Sequence, residues 1–286
     1  MILLDGKKAR LSLCQKLREK IAALSLVPKL AIVQVGDLKE SAIYIHQKEL
    51  FGKEIGVAVS VTRFPSDVGE ELIVSEIIRM NADEGVSGII VQLPLPSHLD
   101  KNRIINSISP LKDVDGLTNA NLKLLWENKN GGFLPATTKG ILSLLEFYGI
   151  PVSGKKVVVV GRSSLVGKPT ALALLNRDAT VTICHSKTAR LELLTRQADV
   201  LISAVGKPKF LTKDFISAGQ VVIDVGISVV GTEKTEKGEK RILSGDVDFE
   251  NVQKLVSAIT PVPGGVGPMT VFSLFENVVT ASEKAG

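Results

Sequence analysis

Short apolar runs alternate with helical stretches along most of the chain, and this alternation constrains the fold more than any other feature. KLAIVQVG (29–36) reads as a strand ending in glycine, and ESAIYIHQKELFGKEIG (40–56) as a helix closed by Gly56. VAVSVTRF (57–64) is a second strand, ELIVSEIIRMNAD (71–83) a helix, and VSGIIVQLPLP (86–96) a buried strand that breaks at two prolines. Strands separated by helices in this way predict an α/β fold, a mostly parallel sheet with helices on both faces.

The pattern loosens over WENKNGGFLPATT (126–138), where glycine, asparagine and proline cluster, so a domain boundary is expected there. A helix over 139–149 follows, and then a fresh alternation. Strands are predicted at 155–161, 179–186, 199–206 and 220–227, with helices at 166–177 and 188–198. The polar segment 229–243 reads as an exposed hairpin or loop, and 269–285 as a final helix. A chain of 286 residues has room for two domains.

Composition narrows the function classes. With 44% hydrophobic and 23% charged residues, the chain can bury a sizeable core. The two cysteines, Cys14 and Cys184, suggest neither a disulfide framework nor a zinc cluster and fit a reducing compartment. The start, MILLDGKKARLSLC, predicts no secretory leader, and no apolar run is long enough to span a bilayer. Cytoplasmic location is the expectation. The net charge of +5 is spread over dispersed lysines, and aromatics are only 4%, which argues against nucleic acid and for anionic small molecules. The three histidines, 46, 98 and 185, lack ligand spacing, so no metal is expected.

GRSSLVGKP (161–169) follows a strand and opens a helix, the context in which backbone N–H groups and the helix dipole meet a phosphate. The usual G-x-G-x-x-G becomes Gly161-x-Ser163-x-x-x-Gly167. Gly161 allows the tight turn, Gly167 permits close helix–sheet contact, and Ser163 places a hydroxyl at the second glycine's position. The next strand ends in Cys184-His185-Ser186-Lys187, without the carboxylate that would bind a ribose 2′-hydroxyl. A 2′-phosphate suits Arg162, Ser186 and Lys187 better, so NADP is expected.

In the first half, Tyr44 and Lys48 lie four residues apart on one helix face, where burial of the lysine could bring its pKa towards neutrality. Short-chain dehydrogenases use Tyr-x-x-x-Lys after their glycine turn; here the pair comes first. Gln92 stands at the carboxyl end of a strand, where open α/β sheets bind ligands. Lys112-Asp113-Val114-Asp115-Gly116 puts two carboxylates in a loop, and Asp115 could grip an amino-heterocycle. Thr260-Pro-Val-Pro-Gly-Gly-Val-Gly-Pro-Met-Thr270 suits either close approach to a flat ligand or a rigid connection.

YIHQK, VQLPLP, KDVDG, GRSSLVGKP, CHSKT and TPVPGGVGPMT, in this order, resemble the bifunctional methylenetetrahydrofolate dehydrogenase/methenyltetrahydrofolate cyclohydrolase family over roughly residues 3 to 282. The resemblance implies a folate-binding catalytic domain over 1–138, completed by the helix 269–286, and a Rossmann-like NADP-binding domain over 139–268, with tetrahydrofolate derivatives in the cleft between them. It implies oxidation of 5,10-methylenetetrahydrofolate with NADP⁺, then hydrolysis to 10-formyltetrahydrofolate. Lys48 then serves hydrolysis, Tyr44 stacks on folate, Gln92 tunes the lysine, and Asp115 holds the pterin edge. Pro263, Gly264 and Gly265 flank the folate. The cofactor set is Gly161, Arg162, Ser163, Gly167, Ser186, Lys187 and Ile227. A homodimer pairing through the Rossmann-like lobes is implied. One departure stands out: relatives commonly read Pro-Cys-Thr-Pro where this chain has Pro135-Ala136-Thr137-Thr138, which is expected to loosen the start of the following helix.

Overall fold

The computed structural model describes residues 1–235 and 238–285 and divides into two compact units. One comprises Leu11–Ala136 and Val271–Gly286, the other Met1–Arg10 and Thr137–Thr270. In chain order the strands are β1 (Ile2–Leu3), β2 (Lys29–Val35), β3 (Ala58–Phe64), β4 (Gly88–Val91), β5 (Lys156–Val160), β6 (Thr180–Cys184), β7 (Val200–Ser203), β8 (Val221–Asp224), β9 (Ser228–Thr235), β10 (Gly238–Ser244) and β11 (Ala258–Ile259). The helices are α1 (Gly6–Ala22), α2 (Lys39–Ile55), α3 (Glu70–Ala82), α4 (Lys101–Asn106), α5 (Asn119–Trp126), α6 (Ala136–Phe147), α7 (Gly167–Leu175), α8 (Leu191–Thr195), α9 (Phe249–Val252) and α10 (Val266–Ala285).

The first unit is built on a parallel three-stranded sheet in the order β3-β2-β4. Alternate residues of β2 explain why the run KLAIVQV must be a central strand. Ala31, Val33 and Val35 pack with Ile73 and Ile77 of α3 on one face, while Leu30 and Ile32 are fully buried on the other. A sheet covered on both faces needs such an unbroken apolar strand. Helix α2 stops where Gly56 takes φ 86°, a left-handed cap that glycine adopts without a Cβ penalty. Strand β4 ends at Val91, five residues short of the expected end, because its pairing with β2 stops at Val33↔Val91. The apolar run beyond it continues as a loop through a cis Leu93–Pro94 peptide.

The other unit carries a parallel six-stranded sheet in the order β1-β11-β8-β7-β5-β6 and a separate antiparallel hairpin, β9-β10. Val158 and Val160 of β5 join a core with Leu201, Val222 and Ile259, and Val157 and Val159 are buried on the opposite face. Residues 1–10 were expected in the amino-terminal domain, but they belong here. Ile2 and Leu3 pair with Ala258 and Ile259, extending the sheet beyond β11. Asp5 then caps α1, its Oδ1 accepting from the N–H groups of Lys7 and Lys8 at 2.8 and 3.1 Å. The predicted helix at 188–198 shortens to α8, preceded by Arg190 in a left-handed conformation.

The start of α6 is tied rather than loosened. Thr138 is fully buried and its hydroxyl lies 3.0 Å from the buried hydroxyl of Thr170 in α7. Thr138→Ala leaves the Thr170 hydroxyl without that partner, and the penalty for such a buried polar group is about 1–3 kcal/mol. The urea unfolding midpoint is expected to fall for Thr138→Ala, and an unchanged midpoint would remove this account of the position.

Candidate functional site

Two groups of candidate residues emerge, one in each unit. In the unit built on β2, helix α2 carries Lys48 towards the carboxyl end of β4. There the Lys48 ammonium donates to Gln92 Oε1 at 2.8 Å. Gln92 is held from both sides: its amide nitrogen donates to the Leu93 carbonyl at 2.8 Å, and its backbone N–H to Val33. The side-chain oxygen of Gln92 is thereby turned towards the lysine.

The loop 112–116 supplies the acid. Its two carboxylates do different work. Asp113 is buried and accepts from the N–H groups of Leu117 and Thr118 and from Asn121 Nδ2, so it folds the loop. Gly116 takes φ 67°, and a Cβ there would meet the Phe133 carbonyl at 2.6 Å, so the next step of the chain requires glycine. Asn277 of α10 donates to the Val114 and Leu134 carbonyls at 2.9 and 3.1 Å, bracing the loop from behind. Asp115 is left facing Lys48.

Burial dominates the electrostatics of this pair. Enclosure of the Lys48 amine lowers its pKa, partly offset by the charge of Asp115. Burial pushes the Asp115 carboxyl up to about 7, while Lys48 pulls it down, Asp113 pushes it up and the Ala136 N–H pulls it down. Burial therefore disfavours the charge on each group while each partner's charge favours the other's, so the two titrate as a coupled pair. An enclosed amine whose charged form is disfavoured is better suited than an ordinary lysine to moving protons to and from water. Tyr44, one turn before Lys48 on α2, stays partly exposed, with 39% of its surface accessible.

The other group lies at the carboxyl end of the six-stranded sheet. Gly161 leaves β5 with φ 132°, and any Cβ there would run into the Ala204 carbonyl. A Cβ on Gly167 would strike the backbone of Gly161 itself, so the turn closes tightly on the start of α7. Ser163 also has a local structural part. Its hydroxyl oxygen accepts from the N–H groups of Val166 and Gly167 at 3.2 and 3.3 Å, so it ties the turn to the start of α7.

Strands β5 and β6 end in register, Val160 opposite Cys184. Arg162 and Ser186 each follow two residues later, both exposed, and Lys187 is exposed beside Ser186. The turn after β6 is preformed: Thr188 Oγ1 accepts from the His185 N–H at 2.8 Å, and His185 Nδ1 from the Lys187 N–H at 3.2 Å. Cys184 is buried, which raises its thiol pKa and keeps it inert. A tight glycine turn, a basic residue on each strand end and no carboxylate after β6 fit a dinucleotide with a 2′-phosphate. Ile227, 45% exposed, follows β8 at the same end of the sheet. Pro263, Gly264 and Gly265 form the turn between β11 and α10; the Gly6 N–H donates to the Gly264 carbonyl at 2.9 Å.

A buried acid pair here had no counterpart in the sequence reading. Asp224 stands at the end of β8 and Asp246 just beyond β10, and both are buried. Burial pushes the Asp224 carboxyl up to about 7, its N–H donors pull it down, and Asp246 pushes it up. Among the described residues, no group of three His, Cys, Asp or Glu side chains is placed to hold a metal, and no helix is long and apolar enough to cross a membrane.

The family model of the tetrahydrofolate dehydrogenase/cyclohydrolase catalytic domain matches residues 4–115, and that of the corresponding NAD(P)-binding domain matches 135–286. The chain is 44% identical over 277 residues to the bifunctional protein FolD of Acholeplasma laidlawii, covering 97% of this chain and 96% of that one. Among solved structures, it is similar to the bifunctional FolD methylenetetrahydrofolate dehydrogenase/cyclohydrolase of Campylobacter jejuni, with a TM-score of 0.92, 42% identity and 99% of each chain covered. It is also similar to the Trypanosoma brucei methylenetetrahydrofolate dehydrogenase-cyclohydrolase in complex with NADP and an inhibitor, with a TM-score of 0.94, 34% identity, and 99% and 98% of the two chains covered. With both domain models matched and identity of this order along its full length, the chain belongs to the tetrahydrofolate dehydrogenase/cyclohydrolase family.

Proposed function

We propose that this protein oxidises 5,10-methylenetetrahydrofolate with NADP⁺ and hydrolyses the methenyl product to 10-formyltetrahydrofolate, a pair of steps in one-carbon metabolism. The observation that carries the hydrolytic half is the enclosed Lys48 amine fixed on Gln92 and facing Asp115. NADP⁺, when bound, supplies the hydride acceptor. Gly161, Ser163 and Gly167 shape its phosphate turn, Arg162, Ser186 and Lys187 meet the 2′-phosphate, and Ile227 lines the same end of the sheet.

Lys48 takes a proton from the attacking water and returns one as the ring opens, which requires the amine to be neutral when water attacks. A cationic methenyl group nearby favours that neutral form further. Gln92 fixes the amine's position. Tyr44 offers a ring for the folate's aromatic portion, Asp115 grips the pterin edge, and Pro263, Gly264 and Gly265 flank the folate. This reading takes 1–138 with 269–286 as the folate-binding catalytic domain and 139–268 as the NADP-binding domain, apart from residues 1–10. Incubation with 5,10-methylenetetrahydrofolate and NADP⁺ should yield NADPH and 10-formyltetrahydrofolate in equal amounts; absence of either product would reject the corresponding step.

Asp115 gives a test by pH. Its negative charge raises the pKa of Lys48, so Asp115→Asn should lower it further. The acid limb of the cyclohydrolase pH–rate profile, where Lys48 gains its proton, should then move to lower pH. Movement to higher pH would contradict the pairing.

The protein is also proposed to work in the cytoplasm as a homodimer. Both cysteines are buried and neither is in a disulfide, as a reducing compartment allows. β6 ends its sheet with Ile183 42% exposed, an edge that a second copy would cover. Sedimentation at micromolar concentration tests the dimer.

A further inference from the structure

Asp224 and Asp246 bury two carboxylates in one small volume, an arrangement that costs stability unless every oxygen is well satisfied. Each accepts from three donors. Asp246 takes the Ser203 hydroxyl at 3.0 Å, the Val205 N–H at 2.7 Å and the Lys207 N–H at 2.8 Å, so it organises the whole loop after β7. Asp224 takes the N–H groups of Gly226 and Asp246 at 3.0 Å each and of Val247 at 2.8 Å. It thereby joins the loop after β8 to the segment carrying Asp246. The two are interlocked: a Cβ on Gly226 would collide with the Asp246 carboxylate, and one on Gly245 with that of Asp224.

The loops so fixed have a definite place. The Val225 N–H donates to the Ser203 carbonyl at 2.8 Å, and the Ala204 N–H to the Val160 carbonyl at 2.8 Å. Ala204 also stands against Gly161. The two loops are therefore the direct neighbours of the phosphate turn, and one of them ends at Ile227. The carboxylates draw a set of backbone N–H groups inward, which fixes the shape of each loop's outer surface.

We propose that Asp224 and Asp246 are positioning residues for the nicotinamide cofactor, holding the loops 203–207 and 225–227 in the shape that receives it. This rests on the reading of their unit as the NADP-binding one. Asp246→Asn replaces one accepting oxygen with an N–H₂ group that faces donors. The NADP⁺ dissociation constant, measured by calorimetry without folate, should rise about tenfold or more, since hydrogen bonds to a charged group are among the stronger ones. In hydrogen exchange, the Val205 and Lys207 amides should lose protection. Hydrolysis of methenyltetrahydrofolate, which needs no cofactor, should stay within about twofold, because its proposed machinery lies in the other unit.

Ser203→Ala provides a gentler companion that removes one donor and leaves both carboxylates; its NADP⁺ affinity should fall about two- to fivefold. If wild-type protein binds NADP⁺ and Ser203→Ala and Asp246→Asn bind it equally well, the positioning role is overturned while the cofactor reading stands. Loss of both activities in parallel with affinity would also overturn it, in favour of a purely structural pair. If wild-type protein itself fails to bind NADP⁺, the cofactor reading fails and this inference falls with it.

Discussion

Lys48→Met is expected to reduce cyclohydrolase turnover by about 10²–10⁴-fold, the usual worth of a positioned general base, while NADP⁺ affinity stays near the wild-type value. The size of the effect follows from geometry. Lys48 is anchored to Gln92 at 2.8 Å, and Gln92 is in turn fixed through its backbone N–H and by Leu93, so the amine has a defined position. Methionine keeps the length and apolar stem of lysine, so packing along α2 is preserved. It also removes a buried amine whose charged form the fold disfavours. Against that gain, the substitution leaves Gln92 Oε1 without its donor and Asp115 without its cation, so a modest net change in stability is expected at neutral pH. A lysine whose folded-state pKa is depressed contributes stability that is present above its unfolded value and is lost as pH falls through the folded value. Replacing it should flatten this part of the stability profile. A Lys48→Met protein that hydrolyses methenyltetrahydrofolate at the wild-type rate would remove Lys48 from the mechanism.

Ser186→Asp is expected to lower kcat/KM for NADP⁺ by about 100-fold with little change for NAD⁺. The end of β6 meets the end of β5 in register, so residue 186 stands level with Arg162. A carboxylate there would repel a 2′-phosphate with about 4 kcal/mol at 4 Å in a surface-like dielectric of 20, reduced in practice by salt. It would also compete for Arg162, while offering the acceptor pair that a ribose diol uses. The preformed turn, held by the Thr188 and His185 side chains accepting from the His185 and Lys187 N–H groups, does not depend on the Ser186 side chain. Kinetics with both cofactors check this. Equal losses for NADP⁺ and NAD⁺ would mean that residue 186 does not face the 2′-position.

These expectations draw on features that differ in how far sequence alone exposes them. The valine run of β5 and the alternating burial of β2 are local patterns, and the strands follow from them within a residue or two. Tyr44 and Lys48 share a helix face by spacing alone. Helix α1 escaped notice because charged residues crowd it; its buried side, Ala9, Cys14 and Leu17, is narrow and carries few large apolar groups. β1 and β11 are two-residue strands, too short for any period, and their pairing joins opposite ends of the chain. For that reason residues 1–10 could not be placed in their unit from local pattern.

The site shows the same division. That Lys48 meets Gln92 depends on contact across 44 positions, and motif order could hint at it only through the family resemblance. The separate duties of Asp113 and Asp115 depend on which carboxylate the loop's own N–H groups capture. Ser163 reads as a glycine substitute, yet the backbone turns its hydroxyl back on α7. Asp224 and Asp246 look like ordinary turn acids beside glycine, and only the fold reveals that both are buried and interlocked.

The most direct test of the account follows NADPH and methenyltetrahydrofolate separately in one reaction containing 5,10-methylenetetrahydrofolate and NADP⁺, for wild type and Lys48→Met. Wild-type protein should form NADPH with no accumulation of the methenyl compound, and Lys48→Met should accumulate it as NADPH forms. Accumulation by the wild-type protein, or none by the variant despite NADPH formation, would contradict the assignment of hydrolysis to Lys48.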